Sequence, residues 1–206
     1  MAFIPSFGTG FEVGSMIFPS TDYLRASISS SKQKTGIYSL YLEAAGSGAA
    51  YANVDFSGSD VYIAAWIYIS SSGSPTSYPP RIRAVLTDGY IIDIRYNGSG
   101  WSAYVNNALR ATGTAVISEE VWHHVQVHFT IADSGAIQTK IDGVLDIDYS
   151  GDTKPGSSST ISYVGPYIIA AVISHPRFYV DDFTFGTDDW AGDMRFQKIV
   201  PNGDIT

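Results

Sequence analysis

The sequence of 206 residues predicts an all-β fold, in which two antiparallel sheets pack as a sandwich. Two observations lead to this prediction. Strand and turn formers dominate the composition, with 20 Gly and 14 Tyr, while only 16% of the residues are charged. Short alternating runs are separated by Gly-, Ser-, Pro-, Asn- and Asp-rich turns, and no run sustains a helical period of about 3.6 residues.

The alternating runs cover most of the chain. They predict strands at 22–29, 37–43, 49–56, 61–70, 81–87, 90–96, 101–106, 121–131, 137–141, 144–149, 167–173, 178–185 and 194–200. The one helix candidate is a short turn near 118–121, where Ser118 can act as an N-cap.

Two hairpins have a defined register. Asp142-Gly143 lies between two alternating runs, a pattern typical of a type I′ turn. The loop 97–100 separates two other runs, and pairing across it places Asp93 opposite Tyr104. Both hairpins therefore predict antiparallel neighbours in a sheet.

The longest run, 121–131, has one apolar face and one polar face, which is typical of an antiparallel strand half-exposed to water. The apolar face carries Val125, Val127 and Phe129, and the polar face carries Trp122, His124, Gln126, His128 and Thr130. We therefore expect the first set to be buried and the second to face solvent or a partner.

Composition and charge exclude several classes of protein. The chain has no Cys, so neither a disulfide framework nor a thiolate metal site can form. The net charge is −8 and the 12 Lys and Arg residues are scattered, which argues against a nucleic-acid partner. No run approaches the roughly 18 apolar residues that a membrane helix needs, so no membrane partner is expected either.

The segment 121–153, VWHHVQVHFTIADSGAIQTKIDGVLDIDYSGDT, resembles the Trp-His-x-Val strand and following Asp-Gly hairpin of concanavalin A-like, laminin-G-like domains. The runs GFEVGS, TGIYSLYLEA and RFYVDDFTFGT are similar to other parts of such domains, in the same order. The resemblance implies a concanavalin A-like jelly roll over 12–190.

The C-terminal run AGDMRFQKIVPNGDIT resembles a segment of laminin-G-like virion proteins of tailed bacteriophages. This resemblance implies a virion protein that decorates the capsid or tail or belongs to a fibre. Its partners would be other virion proteins, further copies of itself and host glycans. Residues 1–11 would then be an N-terminal extension, and 191–206 a C-terminal segment that serves as an assembly arm.

The polar strand faces supply the candidate ligand-binding residues, which are Asp93, Arg95, Tyr104, Asn106, His124, Gln126 and His128. They form a single groove only if their strands share a sheet. His124 and His128 lie roughly 13 Å apart along a strand, at about 3.3 Å per residue, which is too far for the pair to share one metal ion.

Carboxylates suited to catalysis are not evident. Asp181 and Asp182 are consecutive in a predicted strand and should point to opposite faces, so they could not act on one substrate together. Asp146 and Asp148 alternate correctly but lie beside the Asp-Gly turn, where solvated Asp is common. We therefore assign no catalytic residue and expect that the chain is not an enzyme.

Calcium is the one cofactor that the laminin-G-like resemblance implies, because many such domains hold Ca²⁺ through loop carboxylates and carbonyls. The loop candidates are Asp88, Asp152, Asp188 and Asp189. A loop Asp also caps turns without any metal, so these residues define no site by themselves.

Three functions follow from the sequence. The first is a non-enzymatic bacteriophage structural, decoration or fibre-associated protein located in the virion. The alternative is a bacterial carbohydrate-binding module or lectin, for which the many aromatic residues could supply stacking surfaces. The third is a polysaccharide lyase or glycosidase.

Overall fold

The computed structural model describes residues 5–9, 22–44, 48–71, 79–169, 177–187 and 189–190. These residues form fifteen β-strands and no helix. The strands are β1 (Pro5–Thr9), β2 (Asp22–Leu24), β3 (Ala26–Ser29), β4 (Ser39–Glu43), β5 (Ala49–Gly58), β6 (Asp60–Ile69), β7 (Arg81–Leu86), β8 (Ile91–Tyr96), β9 (Trp101–Val105), β10 (Ala108–Thr112), β11 (Trp122–Thr130), β12 (Gly135–Ile141), β13 (Val144–Gly151), β14 (Ile161–Ile169) and β15 (Arg177–Gly186).

The strands form two antiparallel sheets. The eight-stranded sheet has the order β13-β12-β11-β6-β15-β4-β3, with β1 also paired to β15. The seven-stranded sheet has the order β10-β9-β8-β7-β14-β5-β2. The prediction of an all-β sandwich of two antiparallel sheets is confirmed. No helix in the described part of the chain has the length and apolarity to cross a membrane.

The core lies between the sheets and follows the alternation of each strand. Val125, Val127 and Phe129 expose at most 2% of their surface, so the predicted apolar face of 121–131 is confirmed. From the other sheet, Tyr96 and Trp101 are among the largest fully buried side chains. Burial of these groups is the main favourable contribution to folding.

Both predicted hairpins are confirmed. Asp142 and Gly143 have φ of 50° and 85°, and two positive φ values are the signature of a type I′ turn. Across the loop 97–100, Asp93 pairs with Tyr104.

Several strands differ from the prediction. The predicted strand 22–29 is two strands in different sheets, because Arg25, with φ of 51°, breaks the extended backbone between β2 and β3. Strand β10 was not predicted and follows a tight turn at Asn106-Asn107, where both φ values are positive. Strand β14 begins at Ile161, before the predicted start.

Strand β1 lies within the predicted N-terminal extension and pairs with β15 of the same chain. The predicted helix near 118–121 is a hydrogen-bonded turn. The predicted strand 194–200 and the C-terminal segment 191–206 lie outside the described residues.

Candidate functional site

An aromatic row crosses the outer face of the eight-stranded sheet. Cross-strand pairing on β11, β6, β15 and β4 aligns Trp122, Tyr68, Tyr179 and Tyr41. Their successive ring centroids are 5.5, 5.8 and 4.9 Å apart. Side chains directly opposite on neighbouring strands are close enough for their rings to touch, which explains why the row is continuous.

A cavity of about 530 Å³ opens beside this aromatic row. Its lining consists of Trp66, His124, Gln126, Lys140, Asp142, Gly143, Asp189 and Trp190. His124 pairs with Trp66 across β11 and β6, with ring centroids 5.0 Å apart. The cavity therefore has an aromatic wall next to groups that can donate or accept protons.

Gln126 lies in the lining of the cavity with an unused donor. It exposes 3% of its surface, and its Nε2 has no hydrogen-bond partner. Its cross-strand neighbours are Lys140 on β12 and the small Ala64 on β6. The indole Nε1 of Trp66 is likewise buried without a partner. Buried donors are usually satisfied, so two unused donors in one cavity mark a place where ligand oxygens could bind.

Three lysines lie against aromatic rings on this face. The Nζ atoms of Lys34, Lys140 and Lys32 are 3.9 Å from the Trp66 ring, 4.4 Å from the Trp190 ring and 4.8 Å from the Tyr68 ring. Within the described ranges, none of these ammonium groups forms an ion pair with a carboxylate. All three form cation–π contacts, and Lys32 also interacts with the Tyr68 hydroxyl, which leaves Lys34 and Lys140 as the cations available to an anion.

The two acidic residues of the cavity are already engaged. Asp142 accepts hydrogen bonds from the His124 N–H at 2.8 Å and contacts His123 Nδ1 at 2.7 Å. Asp189 accepts a hydrogen bond from the Trp190 N–H at 2.7 Å. These contacts partly offset the carboxylate charges that would otherwise oppose an anionic ligand.

Asp181 and Asp182 contact the same loop, so the prediction that they point to opposite faces is wrong. A β-bulge in β15 and a φ of 46° at Asp182 break the alternation. Asp181 Oδ2 accepts the N–H groups of Lys34 and Thr35 at 2.9 and 3.1 Å. The Thr35 hydroxyl donates to Asp182 at 3.0 Å. The pair anchors the loop 30–38, which carries Lys32 and Lys34.

Burial changes the acidity of one carboxyl group of this pair, that of Asp181. Asp181 has no exposed surface and Asp182 exposes 3%. Burial raises the pKa of Asp181 to about 7, and the neighbouring charge of Asp182 acts in the same direction. The backbone N–H groups of Thr35 and Lys34 oppose this shift but do not cancel it.

His124, Gln126 and His128 lie on the outer face as predicted, but they are buried rather than solvated, with 7%, 3% and 9% of their surfaces exposed. Long neighbouring side chains cover them. The His128 ring stacks on Tyr62 with centroids 3.9 Å apart and planes inclined by 3°. Its Nε2 lies 3.1 Å from both carboxylate oxygens of Asp60.

The other predicted ligand-binding residues lie on the opposite side of the molecule. Asp93, Arg95 and Tyr104 belong to β8 and β9 of the seven-stranded sheet, and Asn106 is exposed in the turn before β10. The single groove that required both sets to share a sheet is therefore excluded, because the chain crosses from one sheet to the other after β10.

The predicted calcium ligands are not brought together. Asp88, Asp152 and Asp189 accept backbone N–H groups of Ser158, Lys154 and Trp190 in separate loops, while Asp188 lies outside the described residues. Among the residues that the structure describes, no three His, Asp or Glu side chains are arranged to hold a metal ion. Calcium binding stays a prediction.

The sequence interpretation missed Trp66, Lys34, Lys140 and Trp190. A signal was present for one of them, because Tyr62, Trp66 and Tyr68 alternate along one strand and must share a face. Lys140 lies in the predicted strand 137–141, so alternation along that strand was a signal for it too. No pattern indicated Lys34 and Trp190, because both lie outside the strands.

Solved carbohydrate-active proteins share this fold. The cellulose-induced protein Cip1 matches with a TM-score of 0.67 and 14% identity, covering 89% of this chain and 98% of that chain. The endo-β-1,4-glucuronan lyase of the fungus Trichoderma reesei matches with a TM-score of 0.63 and 13% identity, covering 90% and 96%. Alginate lyase Aly36B matches with a TM-score of 0.58 and 10% identity, covering 84% and 88%.

Neither a scan against protein-family models nor a search of curated proteins gives a match. At identities this low the structural likeness shows the fold alone, and it supports the concanavalin A-like jelly roll. A carbohydrate esterase from the Shiga toxin-encoding bacteriophage phi24B is similar too, with a TM-score of 0.58 and 15% identity over 82% of this chain and 90% of that one.

These comparisons correct the predicted function. The first expectation, a non-enzymatic virion structural protein, is contradicted because the similar structures are mostly polysaccharide lyases and other carbohydrate-active proteins. The expectation that the chain is not an enzyme is contradicted on the same ground. The carbohydrate-related alternative fits better.

Proposed function

We propose that this chain is a carbohydrate-binding jelly roll that holds an acidic polysaccharide in the cavity on its eight-stranded sheet. The observation that carries the proposal is the unpartnered amide nitrogen Nε2 of Gln126, which lies in the cavity lining between aromatic and cationic groups. A sugar hydroxyl or carboxylate oxygen would satisfy this donor, and leaving a buried donor unpaired costs about 1–3 kcal/mol.

The walls of the cavity suit a sugar ring that carries a carboxylate. Trp66 and Trp190 provide flat apolar surfaces on which a sugar can stack. Lys34 and Lys140 lie on those rings and have flexible side chains that can turn toward an anion. Glucuronan and alginate, which appear in the names of two similar enzymes, are polymers of uronic acids and support this ligand class.

A second candidate function is cleavage of the same polysaccharide by β-elimination. It is favoured because the cavity contains His124 and Lys140, which can exchange protons. The same cavity contains Gln126, whose amide nitrogen would bind the carboxylate. In this step a base removes the proton on the carbon next to the carboxylate. The electron pair forms a carbon–carbon double bond, and the glycosidic oxygen leaves with a proton from an acid.

Calorimetric titration with short glucuronan and alginate oligosaccharides, and with a neutral glucan, tests the binding proposal. Gln126→Leu should weaken polyuronate binding by about tenfold or more, the effect of losing one buried hydrogen bond to a charged group. Gln138→Leu is the matched control, since this residue lies on the same face but bonds Asp148 and His128 outside the cavity. Equal affinity of Gln126→Leu and the wild type would overturn the proposal.

A place in the virion, contacts with other virion proteins and assembly into homo-oligomers stay predictions that rest on the C-terminal sequence resemblance. They are compatible with carbohydrate recognition, since a bacteriophage esterase has a similar fold. Host glycans, predicted as partners from the sequence, belong to the ligand class proposed here when they carry acidic sugars.

A further inference from the structure

The outer face of the seven-stranded sheet carries three arginines and one buried carboxylate. Asp93 has no exposed surface and pairs with Arg81 at 3.3 Å and Arg95 at 2.9 Å. Arg83, next to Asp93 in the cross-strand row, forms no ion pair with any described residue. The cluster therefore has more positive than negative charge, although the whole chain carries −8.

Arg83 is a buried cation whose hydrogen bonding is incomplete. It exposes 7% of its surface, its Nη2 donates to Asn53 Oδ1 at 3.1 Å, and its Nε has no partner. A guanidinium has five N–H donors, and a buried charge is normally paired with an opposite charge. Burial lowers the pKa of Arg83, because a charged group loses hydration in the interior.

A glycine allows Arg83 to lie across the sheet. Gly165 on β14 is the cross-strand neighbour of Arg83 and separates it from Asn53 on β5. A Cβ at Gly165 would come within 2.0 Å of the Ala52 carbonyl oxygen, so the backbones are too close for a larger residue. The missing side chain leaves room for the guanidinium to reach across β14.

Three tyrosine rings surround this guanidinium. The Cζ of Arg83 lies 4.0 Å from the Tyr167 ring centroid, 5.4 Å from that of Tyr51 and 5.6 Å from that of Tyr163. All three rings are partly exposed. Aromatic rings at the edge of a cationic site offer stacking surfaces for the apolar face of a sugar.

We propose that Arg83, Asn53 and the three tyrosines form a second saccharide site, the Arg83 site, which binds the carboxylate of an acidic sugar. A carboxylate matches the planar fork of a guanidinium and supplies the missing counter-charge. The ligand class rests on the function proposed for the cavity, but the residues are independent of it, because the two sites lie on different sheets.

Arg83→Met tests this site in the full chain. The substitution keeps most of the side-chain volume and removes a buried charge that has no counter-ion, so the stability to urea should not fall. Calorimetric titration with a glucuronan oligosaccharide should detect two classes of site in the wild type and only the cavity in Arg83→Met. Arg110→Met, the same substitution at an exposed residue of β10, should leave both classes unchanged.

A chemical control identifies the group recognised. The methyl-esterified oligosaccharide lacks the negative charge and should lose about tenfold or more in affinity at the Arg83 site. Unchanged binding by Arg83→Met, or equal binding of the ester, would overturn the inference. If Gln126→Leu changed nothing while Arg83→Met removed a site, the cavity proposal would fail and the Arg83 site would stand.

Discussion

Asp181 and Asp182 are consecutive in β15, and both carboxylates bind Thr35. Strict alternation would have placed them on opposite faces of the sheet, but the bulge brings them to one loop. This arrangement holds Lys34 above Trp66 at the cavity. A local irregularity in one strand thus determines where a loop cation lies relative to the candidate site.

The first prediction concerns the pH dependence of stability. The pKa of Asp181 is about 7 in the folded chain and ordinarily 3.8, so folding takes up a proton between these values. The contribution of Asp181 to the free energy of unfolding should therefore be largest at the acidic end of this window and fall as the pH rises to about 7. Urea unfolding across this range should show the decline, and Asp181→Asn should flatten it.

Asp148→Asn provides the control, because Asp148 is an exposed carboxyl on the same sheet. It removes one negative charge without touching the loop 30–38. If the slope were the same in the wild type and Asp181→Asn, Asp181 would not be the group that titrates.

The second prediction concerns the register of β11. Val127→Asp should cost several kcal/mol, because it buries an unpaired charge in the core. His128→Asp should also destabilise, by about 1–3 kcal/mol, because it loses the stack on Tyr62 and places a second carboxylate near Asp60. Urea unfolding of both variants measures these costs. If His128→Asp left the free energy of unfolding unchanged, the stack on Tyr62 and the contact with Asp60 would not be formed in solution.

The third prediction concerns Glu120, which ties the turn after residue 118 to the end of β6. Its carboxylate accepts hydrogen bonds from the hydroxyl of Tyr68, from Ser70 and from the N–H and hydroxyl of Ser71. Hydrogen bonds, first that of Tyr68, lower the pKa of Glu120 to about 2. This stabilisation should be present above the ordinary pKa of 4.5 and be lost as the pH falls toward 2.

Glu120→Gln should remove that acid-sensitive part of the stability. Its unfolding free energy should fall less steeply than that of the wild type over the same acidic window. Asp181 acts with the opposite sign, so a double variant should lose both slopes. Steeper acid unfolding of Glu120→Gln than of the wild type would contradict the assigned hydrogen bonds.

The fourth prediction concerns cleavage. If the cavity performs β-elimination, glucuronan or alginate incubated with the chain should gain the ultraviolet absorbance of an unsaturated uronate. Lys140→Met and His124→Phe should each reduce the rate by about a hundredfold or more if the residue acts in proton transfer. A pure binding module would give no absorbance change while still binding the oligosaccharides.

Alternation along single strands could be read from the sequence, and membership of a sheet could not. The faces of β11 followed from a period of two residues, and the pairing of Asp93 with Tyr104 followed from the short loop 97–100 between their strands. Whether β8 and β11 share a sheet depends on where the chain crosses from one sheet to the other, and no local sequence pattern indicates that position. The Asn106-Asn107 turn before β10 was a recognisable signal, since Asn tolerates positive φ.

The candidate site was only partly predictable for the same reason. His124 and Gln126 were found because they alternate on one strand. Lys34 comes from a loop that is anchored by a bulge over a hundred residues further along the chain. Covering groups such as Tyr62 and Trp190 also explain why the predicted polar face is buried.

The most direct test of the central claim is the response of the tryptophan indole N–H signals to an acidic oligosaccharide, followed by nuclear magnetic resonance. Trp66 and Trp190 line the cavity, whereas Trp101 has no exposed surface in the core. Trp66 and Trp101 both have an unpartnered indole N–H, but only Trp66 lies in the cavity, so the Trp101 signal serves as an internal control. We expect the Trp66 and Trp190 signals to shift during a titration with glucuronan oligosaccharide while the Trp101 signal stays fixed. Unchanged Trp66 and Trp190 signals at saturating oligosaccharide would contradict carbohydrate binding in the cavity.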